Sequence, residues 1–205
     1  YGSAIWNIAN GVGSTASMTP SAWNHVALVY TGTNYVLYTN GVAGVTINSS
    51  KPIQEDAFAT LTLSAIATNS SWNGYIDELR LSNVARYTTS FTPAGSAFAW
   101  DDNTVLLNHF EGSNGSTVMD SSSFAYGNFI ATDSTVMSSS QNKFGGSSLN
   151  IPGGNEALRI GHFPAPTGAW TIAFWAYAAS NTTDNVLLCG YANGSYHGLV
   201  LKFSG

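Results

Sequence analysis

Short β-branched and aromatic runs, cut at close intervals by Gly, Asn, Ser and Pro, dominate the chain, and no long apolar pattern of 3.6-residue period appears. The pattern predicts strands at residues 25–30 (HVALVY), 35–39 (YVLYT), 61–66 (LTLSAI), 75–81 (YIDELRL), 105–110 (VLLNHF), 170–177 (WTIAFWAY) and 198–203 (GLVLKF). Asn40-Gly41 joins YVLYT to residues 42–47. Both turn positions of a two-residue hairpin require positive φ, so this dipeptide predicts that the two flanking strands pair. Residues 82–91 (SNVARYTTSF) lack alternation, and Pro93 follows them. They predict a short helical turn or a wrapping loop over one end of the fold.

Many short antiparallel strands of alternating or doubly apolar character point to an all-β protein built as a two-sheet antiparallel sandwich of jelly-roll type. The 205 residues suffice for one large all-β domain or two small ones. Only 8% of residues are charged, with 6 Lys and Arg against 11 Asp and Glu, while Ser, Thr and Asn number 26, 20 and 19. Surface polarity therefore comes from hydroxyls and amides. No basic patch exists for a nucleic acid, and few lysines are available to blunt exposed strand edges, so loops or neighbouring domains are expected to cover them. No run approaches the roughly 18 apolar residues of a membrane span, and no basic-then-apolar leader opens the chain. The single Cys189 cannot close an internal disulfide and reads as a small buried hydrophobe.

Two stretches carry a family likeness: residues 23–30 (WNHVALVY) with 35–41 (YVLYTNG), and residues 72–81 (WNGYIDELRL). They resemble laminin-G-like, concanavalin A-like jelly rolls, and the tail from Asn83 to Pro93 resembles the version found in phage virion and bacterial surface proteins. In that family these motifs close the domain. The opening motifs come later here: VLLNHFEG at 105–112, Asp120-Ser121-Ser122, KFGGSSL at 143–149 and WTIAFWAY at 170–177. The resemblance thus implies that residues 1–100 are the C-terminal half of one repeat and residues 101–205 the N-terminal half of the next, with 94–103 as linker. A circular permutant, or a fragment of two unlike domains, accounts for the same order.

Strict alternation in YIDELRL places Asp77 on one face with Tyr75, Leu79 and Leu81, and Glu78 opposite, in solvent near Arg80. A buried Asp77 needs a partner: Arg80, Arg86, backbone amides at a bulge, or Ca²⁺ completed by loop oxygens. The resemblance implies a structural calcium near the Asp-Ser-Ser loop, making Asp120 the second candidate ligand, although Phe124 and Tyr126 replace the small residues usual there. Sugar rings offer an apolar face that aromatic rings cover. Trp6, Trp72, Tyr191 and Tyr196 adjoin loops and are the candidate stacking residues, whereas Trp23, Trp170 and Trp175 lead or occupy apolar strands and read as core.

No enzyme is expected. Glycoside hydrolysis needs two carboxylates across one cleft. The acidic pairs Glu55-Asp56, Asp77-Glu78 and Asp101-Asp102 are sequence neighbours, which point apart in a strand. The four histidines lack zinc-site spacing, and no G-x-S-x-G elbow or dinucleotide loop is present. The expected function is a non-enzymatic structural or adhesive repeat of a virion fibre or extracellular surface protein, its partners neighbouring repeats or subunits. The alternative is a carbohydrate-binding module contacting surface glycans, with calcium as the one cofactor considered.

Overall fold

The computed structural model describes residues 17–51, 60–64, 72–116, 118, 128–131, 134–154, 156–161, 167–179, 185–192 and 195–203. Trp6 and Asp120 lie outside them. Among the described residues there is no helix, and the strands are β1 (Trp23–Tyr30), β2 (Asn34–Thr39), β3 (Val42–Asn48), β4 (Thr60–Leu63), β5 (Asn73–Ser82), β6 (Thr104–Asn108), β7 (Asn128–Ala131), β8 (Val136–Ser138), β9 (Ser148–Pro152), β10 (Leu158–Gly161), β11 (Trp170–Ala178), β12 (Asn185–Ala192) and β13 (Ser195–Phe203). They form two antiparallel sheets. The larger runs β3-β2-β1-β11-β5-β9-β8 with β6 also on β5, and the smaller runs β13-β12-β4-β10-β7.

The two sheets enclose one core. Val26 and Leu28 of β1, Ile172 and Phe174 of β11, and Leu79 and Leu81 of β5 meet Leu61 and Leu63 of β4 and Leu158 and Ile160 of β10. Burial of such side chains stabilises by roughly 1.5–3 kcal/mol each. The alternate residues Ala27, Val29, Val36, Tyr38, Ala173 and Trp175 face the other way and form a second apolar cluster on the outer side of the larger sheet. Residues 83–103 cover it. They run as an irregular strap rather than a helical turn, over a sheet face rather than an end. The strap is tied by Phe91 N–H to the Gly41 carbonyl (2.9 Å), Tyr38 hydroxyl to the Tyr87 carbonyl (3.2 Å), Arg86 N–H to Thr171 Oγ1 (2.9 Å) and the Arg86–Asp101 ion pair.

The hairpin forms as its turn chemistry requires, with Thr39 opposite Val42 and φ of 52° at Asn40 and 78° at Gly41. A side chain at Gly41 would collide with the Phe91 carbonyl, so the glycine serves both the turn and the strap. Edge strand β3 carries a bulge between Ala43 and Thr46, opposite Val36–Tyr38, and its Ala43 N–H donates to Ser90 Oγ (3.1 Å). Both features obstruct pairing along part of this uncharged edge.

Residues 1–100 and 101–205 interlock throughout. β11 inserts between β1 and β5, pairing Trp23–Tyr30 with Tyr177–Trp170 on one side and Ser82–Gly74 with Thr171–Ala178 on the other.

A candidate functional site at the split of strand β5

β5 has β11 along one side, but its other side is shared. β9 pairs with Asn73 to Ile76 and β6 with Leu79 to Ser82. Between them lie Asp77 and Glu78, at the point where the chain leaves β6 and the chain approaching β9 comes in. The β5–β11 register slips here, so that three steps from Asp77 to Arg80 oppose two from Trp175 to Ala173. Glu78 carries the extra residue, with φ of 57°. Such a bulge breaks the two-residue alternation.

Two readings of the sequence are corrected by that one residue. Leu79 and Leu81 stay in the main core, but Asp77 turns to the outer face beside Trp175. Glu78 is not in solvent: Asp77 and Glu78 are 0% and 1% exposed and both belong to the outer side. Asp77 Oδ2 accepts the Lys143 N–H (2.8 Å) and the Phe144 N–H (3.2 Å), while Oδ1 has no hydrogen-bond partner among the described residues. Glu78 Oε2 accepts the Phe98 N–H (2.6 Å), and Oε1 meets His109 Nδ1 (2.7 Å). Glu111 accepts the Gly146 N–H with both oxygens (3.2 and 3.0 Å). Ser147 Oγ donates to the Phe110 carbonyl (2.8 Å) and accepts the Gly112 N–H (2.9 Å). Three carboxylates thus hold backbone amides of the covering segments: Asp77 and Glu111 the 143–146 turn, Glu78 the strap.

Electrostatics follow from burial. Desolvation pushes the Asp77 carboxyl up to about 7, against the pull of the two amides, and adjacent Glu78 adds to the rise. His109 is raised, chiefly by its bond to Glu78. His25 is pushed down to about 4 by burial and by Arg80. Its ring nitrogens have no hydrogen-bond partner among the described residues, and the rings of Tyr87, Phe91, Phe98 and Trp175 stand edge-on around it at 5.3–6.0 Å. The Arg80 guanidinium lies 4.2 Å from the Phe98 centroid, and the Lys143 ammonium lies 4.1 Å from that of Trp175.

Among the sugar-stacking candidates, Trp72 is fully buried in the main core, with its backbone N–H donating to Ser64 Oγ (2.9 Å). A ring without an exposed face offers no platform, so this expectation is corrected. Tyr191 and Tyr196 are placed by backbone only, opposite one another across β12 and β13. Sequence reading passed over Trp100, which is 47% exposed on the strap beside Asp101 and Asp102. Trp170 and Trp175 are buried, as expected of core residues.

Calcium takes six to eight oxygens. Among the described residues no three His, Cys, Asp or Glu converge as a metal site. Asp77 Oδ2 is engaged with two amides and the Glu78 and Glu111 oxygens with theirs, so the described donors around Asp77 do not fit that ion. Arg86, one of the partners considered for Asp77, pairs instead with Asp101 (Nη1 to Oδ2, 2.8 Å). No helix of the described residues is long and apolar enough to cross a membrane.

Residues 3–90 match the laminin-G-type family Laminin_G_3, described as the Concanavalin A-like lectin/glucanases superfamily. No curated protein and no solved structure matches the chain significantly. The match spans β1 to β5 and reaches into the strap, so the resemblance carried by WNHVALVY and WNGYIDELRL holds for that segment, and the all-β sandwich agrees with it.

Proposed function

We propose, for a chain whose residues 3–90 are those of a concanavalin A-like, laminin-G-type module, that this lectin-like or structural sandwich serves as a non-enzymatic structural and adhesive repeat of a virion fibre or other extracellular surface protein. The observation that carries the reading is the closure of the outer sheet face. There Tyr38, Trp175 and His25 are covered by the protein's own strap, through Tyr87, Phe91 and Phe98, and by the 143–146 turn, and the acidic groups beneath hold backbone amides instead of facing a cleft. A rigid bead needs such closure, whereas hydrolysis needs two reachable carboxylates. Fold alone does not choose among these roles.

A second reading, a carbohydrate-binding module assisted by calcium, is favoured by the exposure of Trp100 next to the carboxylates and amide of Asp101, Asp102 and Asn103. A glycan-array screen run with calcium and with chelator separates the two. The bead reading expects no saturable sugar-specific signal from the folded protein. A specific signal lost in Trp100→Ala would replace it with a lectin-like adhesin, and loss of that signal on chelation would add calcium, with Asp120 the first ligand to substitute.

A further inference from the structure

Among the described residues, the strands at the centre of both sheets have no hydrogen-bonded neighbour strand within their own half of the chain. Among the described residues β5 pairs only with β6, β9 and β11, and β4 only with β10 and β12. Conversely β11 pairs only with β1 and β5, and β6 only with β5. Pairings internal to one half, such as β1–β2–β3, β12–β13 and β8–β9, lie at the periphery. The main core is divided in the same way, since Leu79 and Leu61 come from one half and Phe174 and Ile160 from the other.

Each half therefore presents an apolar face and open strand edges whose complement is the other half. The one covalent tie between them is a mostly exposed stretch. Beyond Phe98, the last residue the strap fixes to β5, only residues 99–103 lead to β6. Trp100, Asp102 and Asn103 there are exposed, and a tight turn closes from Thr104 N–H to the Asp101 carbonyl (2.9 Å).

We infer that the interface between residues 1–100 and 101–205 is exchangeable, its partner being the complementary half of a second copy of this chain. β11 of one copy then enters between β1 and β5 of the next, and its β6 pairs along the other side of that β5, in the register seen here, with copies linked through residues 99–103. Exchange of identical elements creates no contact that the single chain lacks, so its cost is confined to the hinge and to lost freedom of association. The inference rests on the bead reading only for its setting, a string of successive copies. The glycan screen reads the ligand, whereas the experiment below reads strand pairing, so the two fail separately.

Ala27 of β1 and Ala173 of β11 are opposite in register and fully buried, and directly opposed positions have Cβ atoms close enough for a disulfide. In a Cys189→Ser background, full-length Ala27→Cys and Ala173→Cys chains are mixed, unfolded, refolded together at high concentration and oxidised. Exchange gives a disulfide-linked dimer of the two variants. No dimer from the mixture, while the doubly substituted single chain closes its own bridge, overturns the proposal. So does an equal yield when Ser139→Cys, exposed and away from β11, replaces Ala173→Cys. A second reading needs no cysteine: deleting Asp102 and Asn103 shortens the hinge and is expected to raise, several-fold, the yield of mixed dimers from two differently tagged chains refolded together. An unchanged yield of mixed dimers counts against exchange.

Discussion

Asp77 and Glu78, neighbours in a strand, are buried on the same side of the larger sheet, because Glu78 occupies a bulge with φ of 57° opposite Ala173–Trp175. One holds the 143–144 backbone and the other holds Phe98 and His109. The closed outer face depends on this pair, and so do the first two predictions.

Removing the Glu78 carboxylate strands a buried amide and an imidazole. Glu78→Ala is expected to destabilise by about 2–4 kcal/mol, and Glu78→Gln, which still accepts from Phe98, by about 1–2 kcal/mol. His109 is raised chiefly by Glu78, so its stabilising contribution is present below its unfolded value of 6.5 and is lost as pH rises through the folded one. In Glu78→Gln the His109 value falls back toward 6.5, which a histidine proton titration by NMR detects.

Two other buried groups pull stability in opposite directions with pH. Asp77, at about 7 folded against 3.8 unfolded, binds its proton more tightly in the folded state, so its contribution falls as pH rises from roughly 4 to 7. His25, at about 4 folded against 6.5 unfolded, makes stability rise over roughly 4 to 6.5. The parent chain is therefore expected to show a shallow profile there and a decline above it. Asp77→Asn unmasks a rising profile and His25→Phe a falling one, measured by denaturant unfolding at each pH. Identical slopes in all three proteins would remove both assignments.

Gly41 joins the hairpin to the strap. Gly41→Ala meets a φ of 78° and the Phe91 carbonyl together, and a loss of about 2–4 kcal/mol is expected. Thermal unfolding of the variant should also show the Tyr87–Phe91 stack, 3.7 Å between centroids, loosening in near-ultraviolet dichroism.

What the sequence made legible is what alternation and turn chemistry encode. HVALVY, YVLYT, the Asn40-Gly41 turn and WTIAFWAY appear as β1, β2, the hairpin and β11. β7, β8 and β10 have three or four residues each, too short for a period to declare itself among Ser, Thr and Gly. The bulge left no trace either: YIDELRL alternates without fault, and a left-handed glutamate is not foreseen from propensity. The side of Asp77 and the burial of Glu78 therefore had to come from the register with β11. Trp72, in a Ser-Trp-Asn-Gly context that looks like a loop, is drawn into the core by its place one residue ahead of β5.

The central claim is that the two halves make one body around β5 and β11, and native-state hydrogen exchange tests it most directly. Amides of β1, β5 and β11 are predicted to exchange through a single global opening, with a common free energy and common denaturant dependence. Protection that divides at residues 99–103, with the strands before and after opening independently, would contradict the interlocked sandwich and the bead built on it.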